Sequence, residues 1–356
     1  MRVLVLAEGE NRGALAAVRA LAASGHDVHV GGPGDEAMVS RSRHVAGRHR
    51  IPWPGQDPAA FTDAVEAVDA DVVLPASDAT LLGLARRPPR RTRLAFPGDA
   101  VERLLDKRTV SEAAAAVGLP VPRTLPDDWA GPAVVKARSH GLSGRSEAVV
   151  TDDPQRVVAA LRGAGAEPLV QEVLGGDLTA IIVVAAPDGS LLGHVQQRAV
   201  RVWPQPAGVS SRAETESADP AQVELVRRLL THLGWWGVAQ AQFLEGRLID
   251  LNGRLFGSLA LSIGAGLPVT DLLVSLAAGD RPSAVGQARP GVRYTWLEGD
   301  VRRALAERRG GLLADLRETL REGRRSVPVV WDGRDALPGV LSVLALARRA
   351  GRKALG

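Results

Sequence analysis

Residues 248–256 read Leu-Ile-Asp-Leu-Asn-Gly-Arg-Leu-Phe, and three polar residues among them, Asp250, Asn252 and Arg254, decide the fold assignment. Alternate residues of a β-strand share one face, so these three side chains are predicted to point in the same direction. Their neighbours are apolar, which favours a polar row directed into the protein over a polar strand face at the surface. A carboxylate and an amide oxygen suit Mg²⁺, so the segment predicts a metal site at the end of a strand.

Two lysines provide a second indication, because lysine is rare in this chain. Of the 44 basic residues only three are lysine, namely Lys107, Lys136 and Lys353. We therefore treat the retained lysines as candidate positions for a compact ammonium, with Lys353 set aside in the tail. Lys136 ends an apolar strand, where it would be buried without a partner unless an anion meets it. The alternatives are a strand-edge charge that reaches water for Lys136 and a solvated helix residue for Lys107.

The order of patterns along the chain predicts several domains. With 356 residues the chain exceeds the size of a single core. Residues 1–98 alternate apolar strands with helical spacings, which is typical of a small doubly wound parallel sheet. The spacing over 99–118 predicts one helix with Asp99 as its cap, and residues 204–211 are rich in Pro, Gly and Ser, which predicts a loop. Arginine-rich helices are expected around 300–323 and 338–350.

Composition excludes several classes of protein. The chain has no cysteine, which removes disulfides, thiolate metal sites and cysteine nucleophiles. The net charge is only +4 and the arginines are scattered, so a nucleic-acid partner is not expected. No apolar run is long enough for a signal core or a membrane span, so we expect a cytoplasmic protein without a membrane partner.

In the order of these motifs the chain resembles the ATP-grasp superfamily, in particular its carboxylate–amine ligases. The resemblance covers roughly residues 1–280. It implies an α/β and α+β multidomain fold, in which two α+β lobes clasp ATP behind a doubly wound domain and a helical extension follows. The implied domains are 1–98 (pre-ATP-grasp domain), 99–173 (linker and small lobe), 174–285 (large lobe) and 286–356 (mostly helical region).

The resemblance also assigns nucleotide contacts. Lys107 and Lys136 would bind the ATP phosphates, and the small-residue loop 139–144, with Ser143 and Gly144, would form a phosphate lid. A plain hairpin loop is the alternative for 139–144. The hinge that starts at Gln171 would read adenine and ribose through four residues: Glu172, Val173, Leu174 and Asp177. A surface turn with two acids is the alternative for the hinge.

Metal and catalytic roles follow from the same resemblance. Asp250 and Asn252 would hold Mg²⁺ or Mn²⁺, and Arg254 would stabilise charge in phosphoryl transfer. Arg198 and Arg201 lie on the strand from which related ligases send arginine to the phosphates, although chance placement competes in a chain so rich in arginine. One departure is Gln242, where relatives carry an acid, so this metal ligand brings an oxygen without a charge.

The implied reaction activates a carboxylate as an acyl phosphate and condenses it with an amine, releasing ADP and phosphate. Two alternatives stay open: an ATP-binding relative without turnover or with weakened metal binding, suggested by Gln242, and a phosphotransferase that stops at a phosphorylated product. The partners would be small acids and amines, amino acids or small peptides among them, and a homodimer is an open alternative. Candidate acceptor contacts are Arg12, Ser77, Asp78, Ser210, Arg212 and Glu214.

Overall fold

The fold is taken from a computed structural model that describes residues 1–34, 38–139, 141–142, 148–205 and 207–344. The strands are β1 Arg2–Leu6, β2 Asp27–Gly32, β3 Gly47–Arg50, β4 Val72–Pro75, β5 Arg93–Leu94, β6 Ala133–Ala137, β7 Val149–Thr151, β8 Pro168–Gln171, β9 Thr179–Ala185, β10 Leu191–Trp203, β11 Val209–Glu216, β12 Gly237–Leu244, β13 Arg247–Asn252, β14 Gly286–Gln287 and β15 Arg293–Thr295. The α-helices are α1 Arg12–Ala23, α2 Pro58–Ala67, α3 Asp78–Arg86, α4 Val101–Leu105, α5 Lys107–Ala116, α6 Pro154–Gly163, α7 Pro220–Leu233, α8 Leu259–Gly264, α9 Val269–Ala278, α10 Leu297–Glu307 and α11 Leu312–Arg324.

The first sheet is parallel throughout, in the order β3-β2-β1-β4-β5. β1 is apolar and buried because helices cover both faces of such a sheet. Asn11 begins α1 by accepting the amide of Ala14, and Ser77 begins α3 with a capping box. The doubly wound arrangement predicted for this part of the chain is confirmed, and the sequence patterns missed β3 and α3.

The second sheet has seven strands and is mostly antiparallel. Its main path is β13-β12-β9-β10-β11-β15, and β14 pairs with β10 in parallel. Within this path β13, β12, β9 and β10 are successive neighbours, and each pairs with the next in antiparallel orientation. The loop predicted over 204–211 is wrong in its last three residues, because Val209 and Ser210 pair with Trp203 and Val202 at the start of β11.

The third sheet is small, with the order β7-β6-β8. α6 packs on it, and a separate apolar cluster fills the space between them, built from Leu125, Ala133, Val135, Val158 and Val170. The first two sheets, in contrast, share their cores: Val5 clusters with Ile182 on one side, and Leu6 with Ile181 on the other. The small sheet is therefore the part of the fold with a core of its own.

The single helix predicted over 99–118 is wrong, because the chain breaks it at Asp106. Asp99 lies in a short 3-10 turn and caps no helix with its side chain, whereas Asp106 accepts the amides of Arg108 and Thr109 and starts α5. An aspartate favours this position because its side chain satisfies amides that the first turn leaves free. Lys107 is thereby fixed at the first position of α5.

The last part of the described chain contains α10 and α11, as predicted, and the strands β14 and β15, which were not. The helix predicted over 338–350 is helical over 337–344, and its remainder lies outside the described residues. None of the helices in the described ranges is long and apolar enough to cross a membrane.

Candidate functional site

Two members of the polar row, Asp250 and Asn252, lie on β13 at the edge of the large sheet, and Arg254 follows just after the strand ends. Asp250 is paired with Gln242 of β12, and Asn252 with Gln240. Asn252 donates to Asp250 Oδ2 over 3.2 Å, and its Oδ1 accepts from Arg254 Nη2 over 3.0 Å. Asp250, Asn252 and Arg254 therefore form a continuous hydrogen-bonded row, although the strand on which their common direction was predicted ends at Asn252.

Lys136 reaches this row from the small sheet. It is 8% exposed, and its Nζ donates to the carbonyl oxygen of Ile249 over 2.8 Å. Burial lowers the pKa of Lys136 to about 8, an effect that Asp250 opposes and Lys107 reinforces. The ammonium therefore lies in a place where one carboxylate does not fully offset its desolvation.

One pocket collects the central residues of the site. It is lined by both lysines, by Asp78 and by the strand residues up to Asn252, with an apolar wall; the members are Asp78, Leu104, Leu105, Lys107, Val110, Ser111, Lys136, Leu248, Ile249, Asp250, Leu251 and Asn252. The two predicted lysines and two of the predicted metal ligands thus meet in one place, although they come from α5, β6 and β13.

Lys107 is positioned by the loop that follows β6. Its amide donates to the carbonyl oxygen of Arg138 over 2.9 Å, and Arg138 Nε donates to Asp106 Oδ2 over 2.8 Å. Desolvation raises the pKa of Asp106, but the hydrogen bonds from Arg138 and from α5 lower it overall, so this carboxylate stays charged. The start of α5 is in this way tied to the end of the strand that carries Lys136.

Arg254 joins the row to the first sheet. Its Nε donates to Asp78 Oδ1 over 2.7 Å, and both side chains are about 10% exposed. The next amide, that of Leu255, donates to the carbonyl oxygen of Pro75 over 3.2 Å. Arg254 therefore connects β13 to the end of β4, where the sequence predicted an acceptor contact at Asp78.

The predicted hinge lies between the small and the large sheet. Glu172 accepts the amide of Arg123 over 2.8 Å and a hydrogen bond from Arg247, so its carboxylate is already engaged. Val173 is 44% exposed, and the amide of Gly175 donates to Glu245 Oε1 over 3.0 Å. Leu174 is half-buried and Asp177 is exposed. Adenine and ribose contacts at these residues stay predictions.

Arg198 and Arg201 do not line this pocket. Arg198 donates to Glu216 over 2.6 Å and to Glu214 over 2.9 Å. Arg201 donates to Glu318 of α11 over 2.8 Å, and burial lowers its pKa, an effect reinforced by two neighbouring arginines. Both guanidinium groups are therefore engaged by carboxylates of this chain, and their phosphate role stays a prediction.

Two other predicted contacts, Ser143 and Gly144, lie outside the described residues. Residues that the sequence patterns missed lie at the end of β1, where Glu8 faces Arg254 and Asp78. Arg12, a predicted acceptor contact and the first residue of α1, donates to Tyr294 and covers the ring of Trp296. The parallel sheet offered a signal for this site, because ligands bind at the strand ends where the strand order reverses.

The side chains around Asp250 offer oxygen atoms but little negative charge to a divalent metal. Within the described ranges no three His, Cys, Asp or Glu side chains cluster as a metal site. Asp250 supplies one carboxylate, and Asn252 and Gln242 supply amide oxygens from neighbouring positions. Carboxylate and amide oxygens are ligands that suit Mg²⁺, so these residue types fit a magnesium ion, and metal binding here stays a prediction.

No protein-family model and no characterised protein sequence matches the chain. Several solved structures do match the chain. A biotin carboxylase of Campylobacter jejuni in complex with ATP matches at TM-score 0.63 and 13% identity, covering 82% of this chain and 74% of its own. N5-carboxyaminoimidazole synthetase of Staphylococcus aureus, complexed with ADP, matches at 0.61 and 13%, covering 82% and 80%. An L-amino acid ligase of Bacillus licheniformis matches at 0.58 and 15%, covering 78% and 73%.

These three enzymes share the ATP-grasp fold, and the chain has that fold over about four fifths of its length. The fold predicted from the motif order is therefore confirmed. At such low identity the likeness concerns the fold, and residue roles need their own support.

Proposed function

We propose that this protein is an ATP-dependent ligase that activates a carboxylate as an acyl phosphate and joins it to an amine, releasing ADP and phosphate. The observation that carries the proposal is the meeting of Lys107, Lys136, Asp250 and Asn252 in one pocket. A buried ammonium with a depressed pKa gains strongly from an anion, and the triphosphate of ATP supplies one.

In this proposal Lys107 and Lys136 bind the phosphates of ATP. The polar row formed by Asp250, Asn252 and Arg254 faces the γ-phosphate, where negative charge develops during transfer. Carboxylate oxygen attacks the γ-phosphorus, the bond to the β-phosphate oxygen breaks, and ADP leaves. The amine then attacks the acyl carbon, phosphate leaves, and the ammonium proton passes to a base. Arg254, fixed by Asp78 and Asn252, presents a rigid guanidinium to the developing charge.

Asp250, Asn252 and Gln242 are the residues that would hold Mg²⁺ (or Mn²⁺). When bound, the metal would neutralise phosphate charge and orient the terminal phosphate. Asn252 Oδ1 already accepts from Arg254, so the amide would share its oxygen between the metal and the guanidinium.

Product identity tests the proposal. The purified chain is incubated with ATP, Mg²⁺ and mixtures of small acids and amino acids, with hydroxylamine in parallel samples. We expect ADP, phosphate and a hydroxamate, and mass spectrometry should detect an amide when an amine is present. AMP with pyrophosphate would contradict this mechanism, and a phosphorylated product without hydroxamate would favour a phosphotransferase.

A second candidate is an ATP-binding relative without turnover, which the uncharged Gln242 opposite Asp250 favours. Titrating ATP with and without Mg²⁺ separates the two. Tight binding that ignores the metal, with no ADP against any acceptor, would support the second candidate. The proposal also includes nucleotide contacts by the hinge and the domain boundaries given above. It further includes a cytoplasmic location and a homodimer, and no nucleic-acid or membrane partner is expected.

A further inference from the structure

Lys107 lies in a place where electrostatics alone would not keep its ammonium. It is the first residue of α5, at the positive end of the helix dipole. Burial lowers the pKa of Lys136 and Lys107 lowers it further, so the two ammonium groups repel each other. Because the lysine stem is flexible, both repulsions favour rotation of the Lys107 ammonium out of the pocket that it lines. Its direction therefore depends on how the start of α5 is held.

Arg138 holds the start of α5 through both its backbone and its side chain. Its carbonyl oxygen accepts the amide of Lys107 over 2.9 Å. Its Nε and Nη2 each lie 2.8 Å from Asp106 Oδ2, on the residue just before Lys107. A planar guanidinium that contacts a carboxylate through two nitrogens fixes direction as well as distance. Arg138 therefore orients the turn from which the Lys107 side chain projects.

Arg138 is in turn fixed on the small sheet. Its amide donates to the carbonyl oxygen of Glu167 over 2.8 Å, and its Nη1 donates to Glu167 Oε2 over 2.7 Å. Two residues earlier on the same strand, Lys136 is paired with Leu169 of β8. The guanidinium thus lies between two carboxylates, and it connects the strand that carries one lysine to the helix that carries the other.

Asp106 uses its two oxygens for different purposes. Oδ1 accepts the amides of Arg108 and Thr109, each over 2.9 Å, and so caps α5, whereas Oδ2 faces Arg138. An asparagine at this position would keep an oxygen for the cap but would present an NH₂ group to the guanidinium. The cap and the contact with Arg138 can therefore be separated by a single substitution.

We propose that Arg138 is a positioning residue for the nucleotide: through its contact with Asp106 it directs the ammonium of Lys107 toward the phosphates of ATP. Because Arg138 belongs to the chain just after β6, the same contact keeps Lys107 and Lys136 at a fixed separation, so that both can bind one triphosphate. This inference rests on the proposed function for the role of the two lysines, but it is measured by nucleotide binding without any acceptor.

Calorimetric titration of the full chain with ATP and with adenosine, which lacks the phosphates, tests this role. Arg138→Gln and Asp106→Asn should each weaken ATP binding by about tenfold and leave adenosine binding unchanged, because Lys107 is no longer directed toward the phosphates. Combining them should cost little more than either alone, since both remove the same contact. Arg138→Lys, which keeps the charge without the planar fork, should recover part of the affinity.

The two substitutions change the net charge in opposite directions. A general charge effect would weaken ATP binding in Arg138→Gln and strengthen it in Asp106→Asn, and this outcome would overturn the positioning role. Arg162→Gln is the matched control, because Arg162 is an exposed arginine of α6 on the same small sheet and pairs with Asp127 over 2.6 Å. It should bind ATP like the unmodified chain, and Arg138→Gln equal to it would overturn the proposal.

Stability and turnover separate the remaining outcomes. Equal losses of ATP and adenosine binding, together with a lower midpoint of urea denaturation, would show a purely structural contact and overturn the positioning role. Weaker ATP binding in both variants, without ADP or hydroxamate from the unmodified chain, keeps the positioning role and overturns the ligase. ADP and hydroxamate formation with ATP binding unchanged in both variants keeps the ligase and overturns the positioning role. A chain that binds no ATP would overturn both.

Discussion

Two groups of buried charges in this molecule differ in how far the protein itself neutralises them. Between the large sheet and the last helices, Arg212 donates to Asp300 over 2.5 Å, and Arg303 is paired with Asp300 and Asp315. Thr319 also donates to Asp300, over 2.8 Å. These acids are fully buried, and every one of them is met by a guanidinium.

The pocket around Lys136 is built in the opposite way. Its ammonium has one backbone acceptor, a carboxylate nearby and a second lysine that lowers its pKa. Burial of a charge costs free energy unless hydrogen bonds or opposite charges offset it. A cluster in which charged partners offset the free energy of burial stabilises the fold. A cluster in which this free energy is not offset is expected to gain from binding a ligand of opposite charge. Four predictions test this difference, from the largest expected effect to the smallest.

Removing Asp300 should break the closed cluster. Asp300→Ala leaves Arg212 and Arg303 buried without their shared partner, and we expect the free energy of unfolding to fall by about 3–5 kcal/mol. Urea denaturation followed by circular dichroism measures it. Glu224→Ala, which removes an exposed acid from α7, should leave stability nearly unchanged. Equal stability of the two variants would show that the cluster does not hold the last helices.

Removing Lys136 should have the opposite effect, in that stability is kept while ATP binding is weakened. Lys136→Met deletes a desolvated charge, so the free energy of unfolding should stay equal or rise, while ATP affinity falls by roughly a hundredfold, about 2–3 kcal/mol. Denaturation and nucleotide titration are carried out on the same preparation. A loss of stability comparable to that of Asp300→Ala would contradict the distinction between the two clusters.

The pH dependence of ATP binding should identify the same lysine. With a pKa of about 8, Lys136 loses its charge between pH 7 and 9, and ATP affinity should fall by roughly tenfold across that range. The unfolded chain keeps this proton up to about pH 10.5, so unfolding should cost more as pH rises from 8 toward 10.5. In Lys136→Met both dependences should disappear; a persistent pH slope would assign it to another group.

Gln242→Glu should have the smallest effect. It would place a second carboxylate opposite Asp250, and we expect Mg²⁺ affinity to increase several-fold, about 1 kcal/mol, because ligand charge strengthens such sites. The Mg²⁺ concentration that half-saturates ADP formation reports it. Gln242→Asn keeps the site uncharged and serves as the control. No difference between the two would argue that residue 242 does not contact the metal.

The sequence predicted the pocket around Lys136 better than the surroundings of Arg12, and the reason is geometric. Lys136, Asp250 and Asn252 lie on strands with regular alternation, so their direction followed from spacing alone. Lys107 was found through its rarity, although the break of the helix at Asp106 was missed because both halves have good helical patterns.

The surroundings of Arg12 depend on contacts between distant parts of the chain. Arg12 meets Tyr294, and Arg201 meets Glu318, across more than a hundred residues in each case. No local pattern indicates that Arg12 lies against aromatic side chains and that Arg201 is engaged by an acid. The helix α3 and the strand β3 were missed for local reasons. Ser77 caps α3 within a stretch that resembles a loop, and β3 contains polar residues at a sheet edge.

The segment from Leu248 to Gly257 is anchored at both ends. The amide of Leu248 donates to Pro120 of the linker, and that of Leu255 donates to Pro75 of the first sheet. The polar row from Asp250 to Arg254 and its contact with Asp78 therefore lie on one short segment that is held from both sides. The small sheet, which has a separate apolar cluster among the described residues, meets this segment through Lys136, so any displacement of that sheet would move the Lys136 ammonium relative to Asp250.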